Sequence, residues 1–318
     1  MRIVFMGTPE FAVPSLAALL TSKHRVVGVV TQPDRPKGRG QELAASPIKQ
    51  LAGQHKIPIL QPLRMKDPGF LDALSAWKPD LIVVAAFGRI LPKIILDVPP
   101  HHCINVHASL LPKYRGAGPI QWALIRGERE TGITIMLMDE GMDTGAILLQ
   151  AKVPITPDDT AGTLSSKLAE VGGRLLIETL AGLQNGTVTP QPQDSSQATM
   201  APLLKKEDGL LDWSIPALDL ANRVRGLSPW PGAYTYLGED RWVIWKSQAL
   251  HRSTAAVPPG TIMDATKEGL IVATGSGLLR IMEFQPANSR RMSAAQYLAG
   301  HTLAPCMRLG PPPPTAAA

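Results

Sequence analysis

The stretch Leu81-Ile82-Val83-Val84-Ala85-Ala86-Phe87 is an unbroken apolar run, and its length decides what it can be. A membrane-spanning helix needs about 18 or more such residues. The run therefore reads as a strand buried on both faces, the environment of a parallel sheet covered by helices. Its neighbours agree. Arg2–Met6, Arg25–Thr31, Ile57–Leu60 and Cys103–Val106 are short and apolar, and helical periodicity lies between them over Phe11–Leu20, Ser46–Gly53 and Asp67–Trp77. This alternation predicts an α/β fold with a Rossmann-like, doubly wound, mostly parallel sheet. Thr8 is expected to cap the first helix with Pro9 at its first position, and Ser46-Pro47 is read in the same way for the next. A dinucleotide site would place Gly-x-Gly-x-x-Gly after the first strand. Only Gly7 stands there, which argues against a nicotinamide oxidoreductase.

A helix over Ile120–Ile125, strands over Gly132–Met138 and Ala146–Val153, and a long helix over Thr160–Leu183 complete a first domain, 1–190. Gly172-Gly173 marks a kink or break in that helix, and Asn185-Gly186 is a left-handed stop signal. Residues 191–205 read as a linker, because Gln191-Pro192-Gln193-Asp194-Ser195-Ser196 has no apolar periodicity. In 206–310 a helix over Ile215–Leu227 precedes short strands over Ala233–Leu237, Arg241–Leu250, Gly260–Met263, Gly269–Ala273 and Gly277–Phe284, a spacing that suggests a small OB-like β-barrel. The proline-rich tail, 311–318, has nothing to pack and is expected to be disordered. Two domains suit a length of 318 residues. Arg2–Met6 is cut short by Gly7-Thr8-Pro9, unlike a signal peptide. The two cysteines, Cys103 and Cys306, form no metal pair or disulfide framework, so a reduced, cytoplasmic setting is expected. A net charge of +6 is compatible with a polyanionic partner.

The chemistry concentrates between Cys103 and Gly145. In a strand, Asn105 and His107 point to one face and Val106 to the other. A carboxamide beside an imidazole can stabilise an oxyanion and move a proton. Taken alone, the pair is equally a loop cap and a satisfied core histidine. Downstream, Met138-Asp139-Glu140-Gly141-Met142-Asp143-Thr144-Gly145 is a glycine-punctuated acidic loop between two strands. Asp143 can return to His107, orient the ring and support its charged form. Gln32–Lys49 is read as an exposed irregular loop, since Pro33, Pro36, Gly38 and Gly40 oppose regular structure. It carries Arg35, Lys37 and Arg39, which suit phosphate groups.

Asn105-x-His107 followed by Ser109-Leu110-Leu111-Pro112, with Asp143-Thr144-Gly145 beyond, resembles the formyltransferase family that uses 10-formyltetrahydrofolate. The resemblance implies Asn105, His107 and Asp143 as the catalytic set, with no metal. It implies folate contacts from Ser109, Leu110, Leu111 and Pro112 and from Phe87, Gly88, Arg89, Ile90 and Leu91. The basic insert is similar to the loop that wedges against the acceptor stem in the tRNA-acting branch. Relatives acting on glycinamide ribonucleotide or sugar nucleotides are set apart by that insert. The branch implies formyl transfer to the α-amine of methionyl initiator tRNA by a cytoplasmic monomer, with tRNA contacts from Arg35, Lys37, Arg39 and Lys206 and no membrane association. A small-amine acceptor such as an amino sugar nucleotide is the alternative within the family. A noncatalytic RNA-binding protein is a further alternative, but it leaves Asn105, His107 and Asp143 without a role.

Overall fold

The structure is a computed structural model that describes residues 1–37, 42–250, 257–304 and 306–311. The chain divides into two compact units. One comprises Met1–Pro119, Glu130–Pro154 and Ser165–Pro202; the other comprises Ile120–Arg129, Ile155–Leu164 and the chain from Leu203 on. Of the stretch read as a linker, 191–202 thus runs with the first unit.

In chain order the first unit's strands are β1 (Arg2–Gly7), β2 (Arg25–Val30), β3 (Arg35–Lys37), β4 (Glu42–Ala44), β5 (Ile59–Leu60), β6 (Leu81–Ala85), β7 (Cys103–His107), β8 (Glu130–Leu137) and β9 (Ile147–Pro154). The main sheet runs β5-β2-β1-β6-β7-β8-β9 among the described residues. Neighbours from β5 to β7 are parallel, and β8 and β9 extend the edge antiparallel. This is the doubly wound, mostly parallel sheet that the apolar runs predict, and β6 is buried along its whole length. The strand order reverses between β1 and β6. Ligands of such sheets bind in the crevice that the reversal opens at the carboxyl ends, here at Gly7 and Ala85.

The helices are α1 (Val13–Leu20), α2 (Pro47–Gln54), α3 (Pro68–Ala76), α4 (Lys93–Leu96), α5 (Pro119–Ile125), α6 (Ala161–Asn185), α7 (Ala217–Gly226) and α8 (Ala294–Leu298). Ser46 caps α2 by accepting from Lys49 N, and Asp67 caps α3 by accepting from Phe70 N. Three local expectations are corrected. Thr8 caps no helix: a 3-10 turn at Glu10–Ala12 intervenes, and Pro14, tolerated only in a first turn, sets the start of α1 at Val13. The Thr8 hydroxyl instead donates to Phe87 O and accepts from Gln32 N, both at 3.3 Å, tying together the ends of β1, β2 and β6. The basic insert is not wholly irregular, because β3 and β4 pair antiparallel with Pro36 opposite Leu43. A two-stranded ribbon tolerates that proline, since each strand has one unpaired edge. Finally, α6 runs unbroken through Gly172-Gly173. A Cβ on Gly172 would stand 2.9 Å from Val106 Cγ1, and one on Gly173 would stand 2.8 Å from Pro14 O. The pair lets the helix lie close on β7 and on the start of α1.

The second unit contains β10 (Ala233–Leu237), β11 (Asp240–Leu250), β12 (Ile262–Thr266), β13 (Gly269–Ala273), β14 (Leu278–Pro286), β15 (Met292–Ser293) and β16 (Leu309–Gly310). They pair antiparallel in the order β12-β13-β14-β11-β10-β16, with β15 on β14. Ile262 N donates to Met307 O and Leu309 N to Gly260 O, both at 2.8 Å, so the last strand returns to the first and closes a small barrel. Trp242 and Phe284 stack at 4.5 Å in its core, against Leu220, Val224 and Leu227 of and after α7.

Candidate active site

β7 lies between a parallel and an antiparallel neighbour, Asn105 pairing with Val84 on one side and Met136 on the other, and His107 pairing with Thr134. Val106 is buried on the opposite face, against Gly172 of α6. The alternation of one strand therefore turns Asn105 and His107 to the same side.

The acidic loop returns Asp143 to them. Asp139 Oδ1 accepts from Gly141 N at 3.0 Å and from the Thr144 hydroxyl at 2.7 Å, closing the loop on itself. Gly145 has no alternative, because a Cβ there would fall 1.9 Å from Leu137 O. Between these fixed points Asp143 takes φ +54°, a left-handed conformation that aspartate tolerates better than most residues.

The three side chains meet. Asp143 Oδ2 lies 3.6 Å from His107 Nδ1, and Oδ1 lies 3.5 Å from Asn105 Nδ2. The firmest bond to this carboxylate comes from the main chain, Gly116 N donating to Oδ2 at 2.8 Å. His107 is 5% exposed, and its Nε2 lies 3.0 Å from Tyr114 O. A carbonyl only accepts, so Nε2 carries a hydrogen and Nδ1 is the nitrogen that faces Asp143. The segment after Ser109 is fixed from β8 and β9. Thr134 Oγ1 donates to Ser109 O and accepts from Leu111 N, and Gln150 Nε2 donates to Leu111 O.

Tyr114, Gly116, Thr134, Gln150 and Gln193 were not singled out from the sequence. Gln193 donates from Nε2 to Asp143 O at 2.8 Å and to Gly145 O at 2.7 Å. Polar side chains that hold a loop by its carbonyls leave no periodic signal, and the region around Gln193 has the composition of a linker.

The expected folate residues divide. Ile90 is 75% exposed and Gly88 is exposed beside it, whereas Phe87 and Leu91 pack into the core with Val84 and Ile95. Arg89 is held by donating to Leu63 O at 2.8 Å. Ser109 is fully buried and its hydroxyl donates to Lys113 O. Leu111 is buried too, while Leu110 and Pro112 are half-buried. Among the expected tRNA contacts, Arg35 is exposed and donates to Gln32 Oε1 at 2.7 Å. Lys37 ends β3, and Lys206 is exposed in the second unit. Arg39 lies outside the described residues. The base of the ribbon is fixed by Asp34, whose carboxyl is held below its ordinary value by hydrogen bonds from Lys49 and Gln61. Burial pushes the Cys103 thiol up to about 12, which removes it as a nucleophile. Among the described residues no group of three or more His, Cys, Asp or Glu is gathered to hold a metal, and no helix is long and apolar enough to cross a membrane.

Comparison with known proteins gives consistent likenesses. The family profile described as "Formyl transferase" matches residues 1–180, and "Formyl transferase, C-terminal domain" matches residues 203–302. The chain is 52% identical over 303 residues to the methionyl-tRNA formyltransferase of Trichlorobacter lovleyi, covering 95% of each chain. It is 52% identical over 300 residues to that of Desulfotalea psychrophila, covering 94% of this chain and 93% of the relative. Among solved structures, WlaRD, a sugar 3N-formyl transferase determined with dTDP and 5-N-formyl-THF, superposes with a TM-score of 0.66 at 18% identity over 91% of this chain and 99% of that one. HypX from Aquifex aeolicus in complex with tetrahydrofolic acid gives a TM-score of 0.62 at 18% identity, over 94% of this chain and 47% of that one. The two structural likenesses are likenesses of fold.

Proposed function

The chain belongs to the formyl transferase family, and from that premise we propose that it moves the formyl group of 10-formyltetrahydrofolate to the α-amine of methionyl initiator tRNA. What carries the acceptor assignment is identity of 52% to a methionyl-tRNA formyltransferase along 95% of both chains. The sugar formyl transferase shares the fold at 18% identity, so the amino sugar alternative draws no comparable support.

The chemistry follows from Asn105, His107 and Asp143. A neutral amine attacks the formyl carbon, and the carbonyl oxygen gains negative charge. Asn105 Nδ2 and His107 Nδ1 stand 3.5 Å and 3.6 Å from Asp143, at or beyond the limit of a good hydrogen bond. The Asn105 amide makes only a long hydrogen bond to the carboxylate and can also serve the oxyanion, and His107, whose Nε2 hydrogen is held by Tyr114 O, serves it as the imidazolium, with a second hydrogen on Nδ1. A preorganised donor of this kind contributes about 10²–10³ in rate. The attacking nitrogen must lose a proton and N10 must gain one before the C–N10 bond breaks. Asp143 is the base beside both donors, and the proton passes through it or a water that it holds. The products are the formylated amine and tetrahydrofolate, with no net change in protons.

Arg35 and Lys37 of β3, Arg39 of the basic insert and Lys206 in the second unit are assigned to tRNA phosphate contacts, and the exposed edge from Gly88 to Ile90, with the loop from Ser109 to Pro112, to the folate. The enzyme acts as a monomer in the cytoplasm. The test is formylation of methionyl initiator tRNA, glycinamide ribonucleotide and a 4-amino sugar nucleotide side by side with 10-formyltetrahydrofolate. Turnover on the tRNA alone is expected, and comparable turnover on either small amine overturns the acceptor assignment.

A further inference from the structure

The carboxylate at 143 is set by its backbone, and that backbone is held from a distant segment. Gln193 is half-buried, and its carboxamide makes four hydrogen bonds within the first unit. Nε2 donates to the carbonyls of Asp143 and Gly145, at 2.8 and 2.7 Å, on either side of Thr144. Oε1 accepts from Arg115 Nε at 3.0 Å and from Arg115 Nη2 at 2.7 Å. All donor and acceptor capacity of the amide is used. Arg115 is 7% exposed, and a guanidinium only donates. It therefore fixes which end of the carboxamide faces Asp143, leaving no rotamer ambiguity about the carbonyl contacts. Arg115 is flanked by Tyr114, whose carbonyl receives His107 Nε2, and Gly116, whose amide holds Asp143 Oδ2. The same segment is stapled to the chain beyond Gln193: Arg115 N donates to Thr199 O at 2.9 Å, and Ala201 N to Arg115 O at 2.7 Å.

We propose that Gln193 is a positioning residue for the formyl transfer, holding Asp143 in its left-handed conformation beside His107, with Arg115 orienting the carboxamide. The inference rests on the catalytic reading of Asp143 given above. It extends the active site to a residue that touches neither substrate nor the reacting atoms.

Gln193→Glu is the informative change. It keeps the side-chain shape and the partners for Arg115, but replaces the two amide donors with an oxygen facing two carbonyl oxygens. The expected result is a loss in kcat of at least about tenfold, with KM for the folate donor within about twofold and the melting temperature little changed. The decisive reading is a double-mutant cycle with Asp143→Asn. If Gln193 acts through Asp143, Gln193→Glu costs less than about twofold in the Asp143→Asn background. An equal loss in both backgrounds, or a loss in KM with kcat intact, overturns the proposal. Should Gln193→Glu fail to fold, Gln193→Ala enters the same cycle under the same criteria. The cycle is run on whichever of the three acceptors the unaltered enzyme formylates, so a mistaken acceptor is not confused with a mistaken role for Gln193.

Discussion

Asp143→Asn isolates the charge at the centre of the site. Asparagine keeps the size of the side chain, tolerates φ +54° as well as aspartate does, and can still accept from Gly116 N. What disappears is the negative charge 3.6 Å from His107 Nδ1. At that separation a carboxylate and an imidazolium attract by about 5 kcal/mol at an effective dielectric of 20, and by about 1 kcal/mol in bulk water. The His107 and Asp143 side chains are 6% and 18% exposed, which places the pair between those limits, at about 3 kcal/mol. In the mechanism proposed above the reacting form carries the imidazolium, so that energy is lost from the transition state, and kcat falls by about 10². The assay is single-turnover formylation of methionyl initiator tRNA at saturating folate donor, with donor affinity and melting temperature measured alongside. Turnover within threefold of the unaltered enzyme from acid to alkaline pH would refute the role. So would a fall in donor affinity large enough to account for the loss.

Gly172→Ala should destabilise the protein by about 1–3 kcal/mol and lower kcat, because its Cβ meets Val106 Cγ1 at 2.9 Å, between Asn105 and His107 of β7. Gly53→Ala, in α2 with nothing within 4 Å of the new Cβ, should instead raise stability by about 0.4–1 kcal/mol; thermal melts of the two compare them directly. Thiol titration of the folded enzyme at pH 8 should label exposed Cys306 quickly and Cys103 only after denaturation. The raised Cys103 pKa also has a sign: its stability contribution is complete below the ordinary value of 9.0 and is lost as pH rises toward about 12. A Cys103→Ala variant should lose less stability over that alkaline interval. Arg39→Ala should leave folding and folate affinity unchanged while lowering formylation of methionyl-tRNA at least tenfold, about 1.4 kcal/mol; equal losses on a slow small-amine acceptor would remove the tRNA role.

The parts legible in the sequence share one property: a repeating physical demand. The β6 run from Leu81 is apolar throughout because both faces of a central parallel strand are buried, and the barrel strands from Ala233 to Phe284 recur at short spacing because each ends at a Gly, Pro or Asp turn. Asn105 and His107 could be placed together because the strand period is fixed. Asp143 could be placed beside them only through its family resemblance, since nothing local says where a loop returns. The start of α1, the β3–β4 ribbon and the unbroken course of α6 were hidden for another reason. Proline and glycine report what the backbone is permitted to do, while packing decides what it does. Gly172-Gly173 reads as a weak point in isolation and becomes a contact surface once β7 and Pro14 lie against it.

The same distinction explains how the site is built. Ala86, Tyr114 and Asp143 all have positive φ, at +46°, +63° and +54°; Ala86 and Tyr114 follow the carboxyl ends of β6 and β7, and Asp143 lies in the loop between β8 and β9. Such conformations cost of order 1–3 kcal/mol each and persist only where the surroundings over-determine them. Here the surroundings are main-chain and amide hydrogen bonds. Gly116 N holds the Asp143 carboxylate, Gln193 holds its carbonyl, and Thr199 Oγ1 accepts from Tyr114 N at 2.9 Å. A tight ion pair to His107 could have fixed Asp143 as well, but in the mechanism proposed above it would occupy the Nδ1 hydrogen that the imidazolium turns to the oxyanion. Holding the carboxylate by neutral donors keeps its charge near the imidazole at a distance too long for a hydrogen bond, so the ring feels the field and the Nδ1 hydrogen that the imidazolium would carry is not taken up by Asp143. On that reading, the strained backbone at Tyr114 and Asp143 accompanies a carboxylate that is held beside His107 without taking up its ring in a hydrogen bond.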